Sequence, residues 1–116
     1  MEISVGKKVV ELEIRALSLL KKLISKDFKK AVDTLIKVKG KIFVSGIGKS
    51  GHIGSKIVST LSSIGSPSFF IHPSEANHGD LGMITKNDCG ILISNSGEAS
   101  ELLNLILYCK KIKIPI

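Results

Sequence analysis

The stretch Val44-Ser-Gly-Ile-Gly-Lys-Ser-Gly-His-Ile-Gly54 joins an apolar segment to a helical pattern through four glycines. Glycine readily adopts positive φ angles and allows backbone N–H groups to approach a ligand closely. The first turn of a helix adds N–H groups without intrahelical partners and about half a positive charge. A strand that enters a helix through such a turn, with Lys49 and Ser50 inside it, predicts a phosphate site.

Downstream of this turn, short apolar segments alternate with helical patterns. The sequence predicts strands at 41–45, 67–72 and 89–94, and helices at 52–64 and 98–111. This alternation predicts an α/β fold in which right-handed crossovers build a parallel sheet with helices on both faces. The final segment, Lys113-Ile-Pro-Ile116, has the pattern of a fourth strand that is just beginning. We therefore expect the sheet to be incomplete at its C-terminal end.

The first forty residues predict a helical hairpin. Apolar residues recur at three- or four-residue steps in two runs: Val5, Val9, Leu12, Ala16, Leu20 and Leu23, then Phe28, Ala31, Val32, Leu35 and Ile36. Ser25-Lys-Asp27 is the expected break, and Gly40 suits the C-terminal cap of the second helix. We predict a hairpin over residues 1–40, packed on the α/β part at 41–116 or on another subunit.

Composition narrows the class of protein. A length of 116 residues, with 43% hydrophobic and 23% charged residues, is typical of one globular domain. No apolar run approaches the roughly 20 residues that a membrane helix needs, and the N-terminus lacks a secretory signal pattern. Cys89 and Cys109 are spaced neither as a zinc pair nor as a disulfide framework. We expect two reduced, buried thiols and a cytoplasmic protein.

The net charge of +7 is unevenly distributed. Residues 1–41 carry eleven basic and five acidic side chains, whereas residues 42–116 carry six and five. All but one of the basic residues are lysine, and aromatic residues make up only 4% of the chain. Sequence-specific nucleic-acid binding relies on arginine and stacked aromatic rings. We therefore expect neither a nucleic-acid partner nor a membrane partner, and we place the excess charge on solvated helix faces.

Each predicted strand leads into a polar loop. The loops cover residues 46–51, 72–80 and 94–98. Ligands of parallel sheets bind beyond the carboxyl ends of the strands, where loops that are remote in sequence meet. This pattern predicts one shared site, and three ordinary connecting turns are the alternative.

Two nucleotide motifs compete for the first loop. A Walker A loop requires glycine five residues before Gly48-Lys-Ser, where this chain has Phe43. The spacing Gly46-x-Gly48-x-x-Gly51 does match the dinucleotide fingerprint. That fold also needs an acidic residue at the end of the second strand, and Phe70-Ile-His72 occupies that place. The glycine spacing thus fits a dinucleotide but the acidic residue is missing, and dinucleotide binding is kept as an alternative to a compact phosphate ligand.

Three segments of the chain resemble the arabinose 5-phosphate isomerases, which are enzymes with a sugar isomerase (SIS) domain. The segments are Gly-Ile-Gly-Lys-Ser-Gly-His-Ile-Gly at 46–54, Phe-Phe-Ile-His-Pro-Ser-Glu-Ala-Asn-His-Gly-Asp-Leu-Gly-Met-Ile at 69–84, and Ile-Ser-Asn-Ser-Gly-Glu-Ala-Ser-Glu at 93–101. The resemblance implies an SIS-type fold, related to flavodoxin-like and Rossmann-like sheets, over residues 41–116. It further implies a homo-oligomer that needs no cofactor and interconverts ribulose 5-phosphate and arabinose 5-phosphate, on the route to the Kdo sugar of lipopolysaccharide.

The resemblance also implies roles for individual residues. Lys49 and Glu101 correspond to catalytic residues, and His72 to a ligand of an inhibitory zinc ion. Substrate and phosphate contacts are implied for Gly48, Ser50, Gly51, Gly65, Ser66, His78, Ser94, Ser96 and Gly97. Aldose–ketose isomerisation moves a proton between neighbouring carbons, which requires a base and a group that stabilises the oxyanion. Glu101 and the two serines beyond the third strand would alternatively stabilise the start of the last helix.

Members of the resembled family extend beyond the length of this chain, and further catalytic residues lie in that extension. We therefore expect a truncated isomerase that binds a pentose phosphate or a related sugar phosphate with little or no turnover. A non-catalytic module for phosphosugar sensing or assembly is the first alternative, and a gene fragment without function is the second.

Overall fold

The computed structural model describes residues 1–116, which form two units, Met1–Asp33 and Thr34–Ile116. Helix α1 spans Glu2–Leu23, and helix α2 spans Lys26–Ile36. Helix α1 is capped by Ile24, whose backbone is extended. The Ser25 hydroxyl then accepts a hydrogen bond from the Asp27 N–H at 3.3 Å. The predicted break between the two helices is thus present, although it falls one residue earlier than expected.

Helix α1 buries none of its side chains. The apolar residues predicted to line one face are more than half exposed, among them Val5, Val9, Leu12 and Leu20. No helix of this structure combines the length and the apolar character that a membrane crossing requires.

Gly40 does not cap α2, contrary to the prediction, because this helix ends four residues earlier, at Ile36. The Gly40 N–H instead donates to the Asn87 carbonyl at 2.8 Å. Next to it, the two carboxylate oxygens of buried Asp88 accept from the N–H groups of Lys41 and Thr85, each at 2.7 Å. These bonds join the start of the first strand to the turn that precedes the third.

Three parallel strands form the sheet, in the order β2-β1-β3. They are β1 (Ile42–Gly46), β2 (Ser68–Phe70) and β3 (Cys89–Ile93). Ile42 lies opposite both Ser68 and Cys89, and Gly46 lies opposite Ile93. The predicted parallel α/β fold is confirmed, with β1 shifted by one residue, β2 three residues shorter than expected and β3 one residue shorter.

Helices cover both faces of the sheet. They are α3 (Lys49–Ser63), the short α4 (Pro73–Ala76) and α5 (Leu103–Ile112), with single 3₁₀ turns at Asp80–Met83 and Ser100–Leu102. Val44 faces Gly54 of α3, whereas Phe43 packs in a cluster with Leu105 and Cys109 of α5. Because neighbouring residues of a strand point to opposite faces, α3 and α5 lie on opposite sides of the sheet.

The chain turns back onto the sheet after α5. Lys113 caps this helix in the left-handed conformation, with φ 60° and ψ 40°. Its N–H donates to the Lys110 carbonyl, and the Ile114 N–H donates to that of Cys109 at 3.1 Å. The Gly90 N–H then donates to the Pro115 carbonyl at 3.0 Å, so the last residues run beside the outer edge of β3.

Both cysteines are free and buried, as predicted. Burial raises the pKa of the Cys109 thiol from its ordinary value of 9.0 to about 11, and the neighbouring Cys89 adds to the rise. The pKa of Cys89 is also raised, again mainly by burial. Neither thiol therefore forms a thiolate readily in the folded chain.

Replacing Lys113 with glycine is expected to stabilise the fold by about 1 kcal/mol, because a left-handed conformation strains any residue with a Cβ atom. Urea unfolding followed by circular dichroism measures the change. Lys111→Gly is the matched control, since it places glycine inside α5 and is expected to destabilise by about 1 kcal/mol. Destabilisation by both variants would contradict the prediction.

As the pH rises from about 9 to about 11, titration of the Cys109 thiol is expected to lower the free energy of unfolding. In this window the unfolded chain releases the thiol proton while the folded chain retains it, so rising pH favours the unfolded state. The contribution is complete below pH 9 and amounts to roughly 2 kcal/mol. Urea titrations at a series of pH values, compared with those of Cys109→Ala, isolate this contribution. Equal slopes in the two proteins would contradict it.

Candidate functional site

The glycine-rich turn after β1 leads directly into α3. Gly48 caps the helix with φ 58°, and the helix begins at Lys49, three residues before its predicted start. Lys49 and Ser50 therefore lie in the first helical turn, and their N–H groups make no hydrogen bond within the protein. Gly51 packs against β1, since a Cβ atom on it would lie 2.7 Å from the Gly46 carbonyl oxygen. The turn thus presents unpaired N–H groups at the carboxyl end of the central strand.

The loop after β3 is braced by its own serines. The Ser94 hydroxyl oxygen accepts from the Gly97 N–H at 3.0 Å, and that of Ser96 accepts from the Glu98 N–H at 3.1 Å. Gly97 has φ 71°, which this tight loop requires. These serines do not cap the last helix, because α5 begins only at Leu103. Glu101 accordingly lies in the preceding 3₁₀ turn, where the Ser100 hydroxyl donates to its carboxylate at 3.4 Å.

The first and third loops line a cavity of about 460 Å³ that is open to solvent. Its lining residues come from the two loops that follow β1 and β3: Ile47, Ser50, Ile93, Ser94, Asn95, Ser96, Glu98, Ala99, Ser100 and Glu101. Four predicted site residues, Ser50, Ser94, Ser96 and Glu101, are thus brought together. Lys49 directly precedes Ser50 and is exposed, but it is not part of the lining.

Sequence reasoning missed a second carboxylate in this cavity, that of Glu98. It also missed Asn95 and Ser100, which line the same space. A signal for all three was present, since they belong to the polar run from Ser94 to Glu101. The cavity therefore combines hydroxyl groups, which can donate hydrogen bonds, with two carboxylates, which can accept a proton.

The second loop lies at the same edge of the sheet, which we call the carboxyl edge because the carboxyl ends of the strands meet there. The buried Ser45 hydroxyl, at the end of β1, donates to the Ile71 carbonyl at 2.6 Å. His72 follows and caps α4, its Nδ1 accepting from the Ser74 N–H at 3.2 Å. His78 lies after α4, is exposed and does not line the cavity.

Gly65 and Ser66 lie at the opposite edge of the sheet. Helix α3 is 15 residues long and carries the chain back to the amino ends of the strands before Gly65 is reached. Ser66 directly precedes the segment that pairs with the start of β1. Within one chain these two residues therefore do not reach the cavity, and the substrate contacts that the resemblance implies for them stay a prediction.

The structure gathers no group of three or more histidine, cysteine, aspartate or glutamate side chains that could hold a metal ion. At His72, Nδ1 accepts a hydrogen bond from the backbone. A neutral imidazole with that acceptor carries its proton on Nε2, so zinc binding would require the helix cap to open. The implied zinc site at His72 stays a prediction.

Comparison with known proteins establishes the family. The SIS domain profile matches residues 34–116. The chain belongs to the SIS domain family. This SIS chain is 50% identical to the arabinose 5-phosphate isomerase KdsD of Yersinia pestis over 109 residues and 50% identical to that of Shigella flexneri over 111 residues. These matches cover 94% and 96% of the chain but only 33% and 34% of the two enzymes.

A solved structure agrees with this assignment. The Escherichia coli CFT073 protein c3406, solved in complex with arabinose 5-phosphate, superposes with a TM-score of 0.89 at 40% identity. The match covers 97% of the SIS chain and 60% of that protein. The resemblance to arabinose 5-phosphate isomerases is confirmed, and the chain spans about a third of the length of the curated relatives it matches.

Gly51→Ala is expected to destabilise the protein by about 2 kcal/mol, because the added methyl group collides with the backbone of β1. Chemical unfolding in urea measures the loss. Gly82→Ala provides the control, since a Cβ atom there would meet nothing within 4 Å, and a change within about 0.5 kcal/mol is expected. A Gly51 variant as stable as the Gly82 variant would show that α3 does not pack as closely as the structure indicates.

Proposed function

We propose that the chain binds a phosphorylated pentose in the cavity at the carboxyl edge, with its phosphate between the first and third loops. One observation carries this proposal: Ser50, at the start of α3, lines the same cavity as Ser94 and Ser96. The oxygens of Ser94 and Ser96 accept backbone hydrogen bonds, which leaves their hydroxyl protons available to donate. Together with the unpaired N–H groups of Lys49 and Ser50, these donors suit a phosphate.

The proposed ligand is arabinose 5-phosphate or its ketose isomer, ribulose 5-phosphate. Support comes from the KdsD relatives, which are arabinose 5-phosphate isomerases, and from the neighbour solved with arabinose 5-phosphate. A cavity of about 460 Å³ lies within the range of small-molecule sites, roughly 300–1,000 Å³.

The chemistry that fits this cavity is aldose–ketose isomerisation. A carboxylate removes the proton from the carbon next to the carbonyl and returns it to the former carbonyl carbon. The hydroxyl proton moves from the one substrate oxygen to the other, while a cation or donor stabilises the enediolate between these steps. We assign the base to Glu101, which lines the cavity, and the stabilising cation to Lys49 at the start of α3. Because the chain spans a third of its isomerase relatives, we propose sugar-phosphate binding with little turnover for the chain by itself.

We further propose that the chain self-associates through α1. This helix presents large apolar side chains that are more than half exposed, such as Val9, Leu12 and Leu20. Burying apolar surface of this kind favours association by roughly 25 cal/mol per Å².

Two unpaired thiols favour a reducing compartment such as the cytoplasm. The proposed reaction requires no cofactor, and we propose that its product supplies lipopolysaccharide synthesis, as the sequence resemblance implies.

Calorimetric titration with arabinose 5-phosphate tests the proposal. Ser94→Ala and Ser96→Ala are each expected to weaken binding about tenfold, because each removes a hydroxyl donor to a charged oxygen. Ser63→Ala is the matched control, since this serine bonds only within α3. Unchanged affinity in both loop variants, or preference for a dinucleotide over the sugar phosphate, would contradict the proposal. Conversion of ribulose 5-phosphate that Glu101→Gln abolishes would show that the chain is itself an isomerase.

A further inference from the structure

A hydrogen bond between two amide side chains joins the second loop to the first turn of α5. Asn104 Nδ2 donates to Asn77 Oδ1 at 2.8 Å, across 27 positions of the sequence. Asn77 is the C-terminal cap of α4 and is next to His78, a predicted substrate contact. Asn104 is in the turn that follows Glu101, the proposed base. The bond therefore links the two segments that carry these residues.

Apolar packing beneath this bond aligns the two segments. Ala76, Leu102 and Leu105 are buried in the same cluster, which sets α4 against the start of α5. The two asparagines lie above them in the exposed rim. A hydrogen bond in contact with water contributes little to the stability of a fold, so its effect is on the conformation of the exposed residues that follow α4.

Those exposed residues have few other restraints. The His78 N–H donates to the Glu75 carbonyl at 2.9 Å. Gly79 follows with φ 123°, and a Cβ atom at this position would meet no other atom within 4 Å. His78 thus lies between a tethered asparagine and a glycine whose backbone is free of side-chain packing. After Gly79, the Gly82 N–H donates to the Gly79 carbonyl at 3.1 Å and Leu81 packs against the core, so the tether restrains the backbone on the Asn77 side of His78.

We propose that Asn104 is a positioning residue, which acts through Asn77 to hold His78 at the carboxyl edge against the sugar part of a bound pentose phosphate. This inference rests on the proposed function. The phosphate contacts come from the first loop, which enters α3, and from the third loop, which is braced independently by Ser94 and Ser96. Loss of the tether therefore affects recognition of the sugar and leaves recognition of the phosphate intact.

Calorimetry on wild type, Asn77→Ala, Asn104→Ala and the double variant tests this separation, with arabinose 5-phosphate and inorganic phosphate as probes. Each single variant is expected to lose about three- to tenfold in affinity for the sugar phosphate. The double variant is expected to lose no more than either single one, because both remove the same bond. Affinity for inorganic phosphate stays unchanged. Asn87→Ala is the matched control, since only the backbone carbonyl of Asn87 is engaged, at the amino edge.

Hydrogen exchange provides a measurement that needs no ligand. In Asn104→Ala the amides of residues 77–80 are expected to exchange several-fold faster, while those of 94–97 and the melting temperature stay unchanged. Additive losses, equal losses for both probes or unaltered exchange at 77–80 would each overturn the inference while leaving the proposed function standing. A wild-type chain that binds neither probe would overturn the proposed function, and the role of the tether with it.

Discussion

Complete burial of β1 is the constraint on which the rest of the structure depends. All five of its residues are buried, between β2 and β3 in the plane of the sheet and between α3 and α5 across it. A central parallel strand has no solvent-exposed face, so every residue on it must suit its neighbours. Phe43 fills the α5 side, and Val44 meets the glycine face of α3.

Burial of this strand also places the chemistry. Because β1 ends in Gly46, opposite the end of β3 at Ile93, the turns that follow the two strands lie side by side. One turn supplies unpaired helix N–H groups, and the other supplies serine hydroxyls and two carboxylates. Ser45, the only polar side chain in β1, donates to the Ile71 carbonyl and so holds the start of the second loop at this edge. The candidate site is thus a consequence of strand register.

The three loops differ in how they are held. The first is part of a helix, and the third is braced by hydroxyl-to-backbone bonds within five residues. The second depends on contacts that are distant in sequence, the Ala76 packing and the Asn77–Asn104 bond. In the function that we propose, the first and third loops bind the phosphate and the second loop contacts the sugar, so the two parts of the ligand are recognised by loops that are held in different ways.

Local patterns in the sequence determined the parallel α/β fold, the glycine turn and the loop positions of Ser50, Ser94 and Ser96, because strand periodicity and helix entry depend on neighbouring residues. Glu101, expected in the first turn of the last helix, lies instead in the 3₁₀ turn that precedes it. Tertiary structure alone decided the rest. Gly40 joined the Asn87 turn instead of capping α2, and Glu98 entered the cavity that the first loop also lines. These outcomes depend on contacts between residues far apart in the chain, and such contacts leave no periodic signal in the sequence.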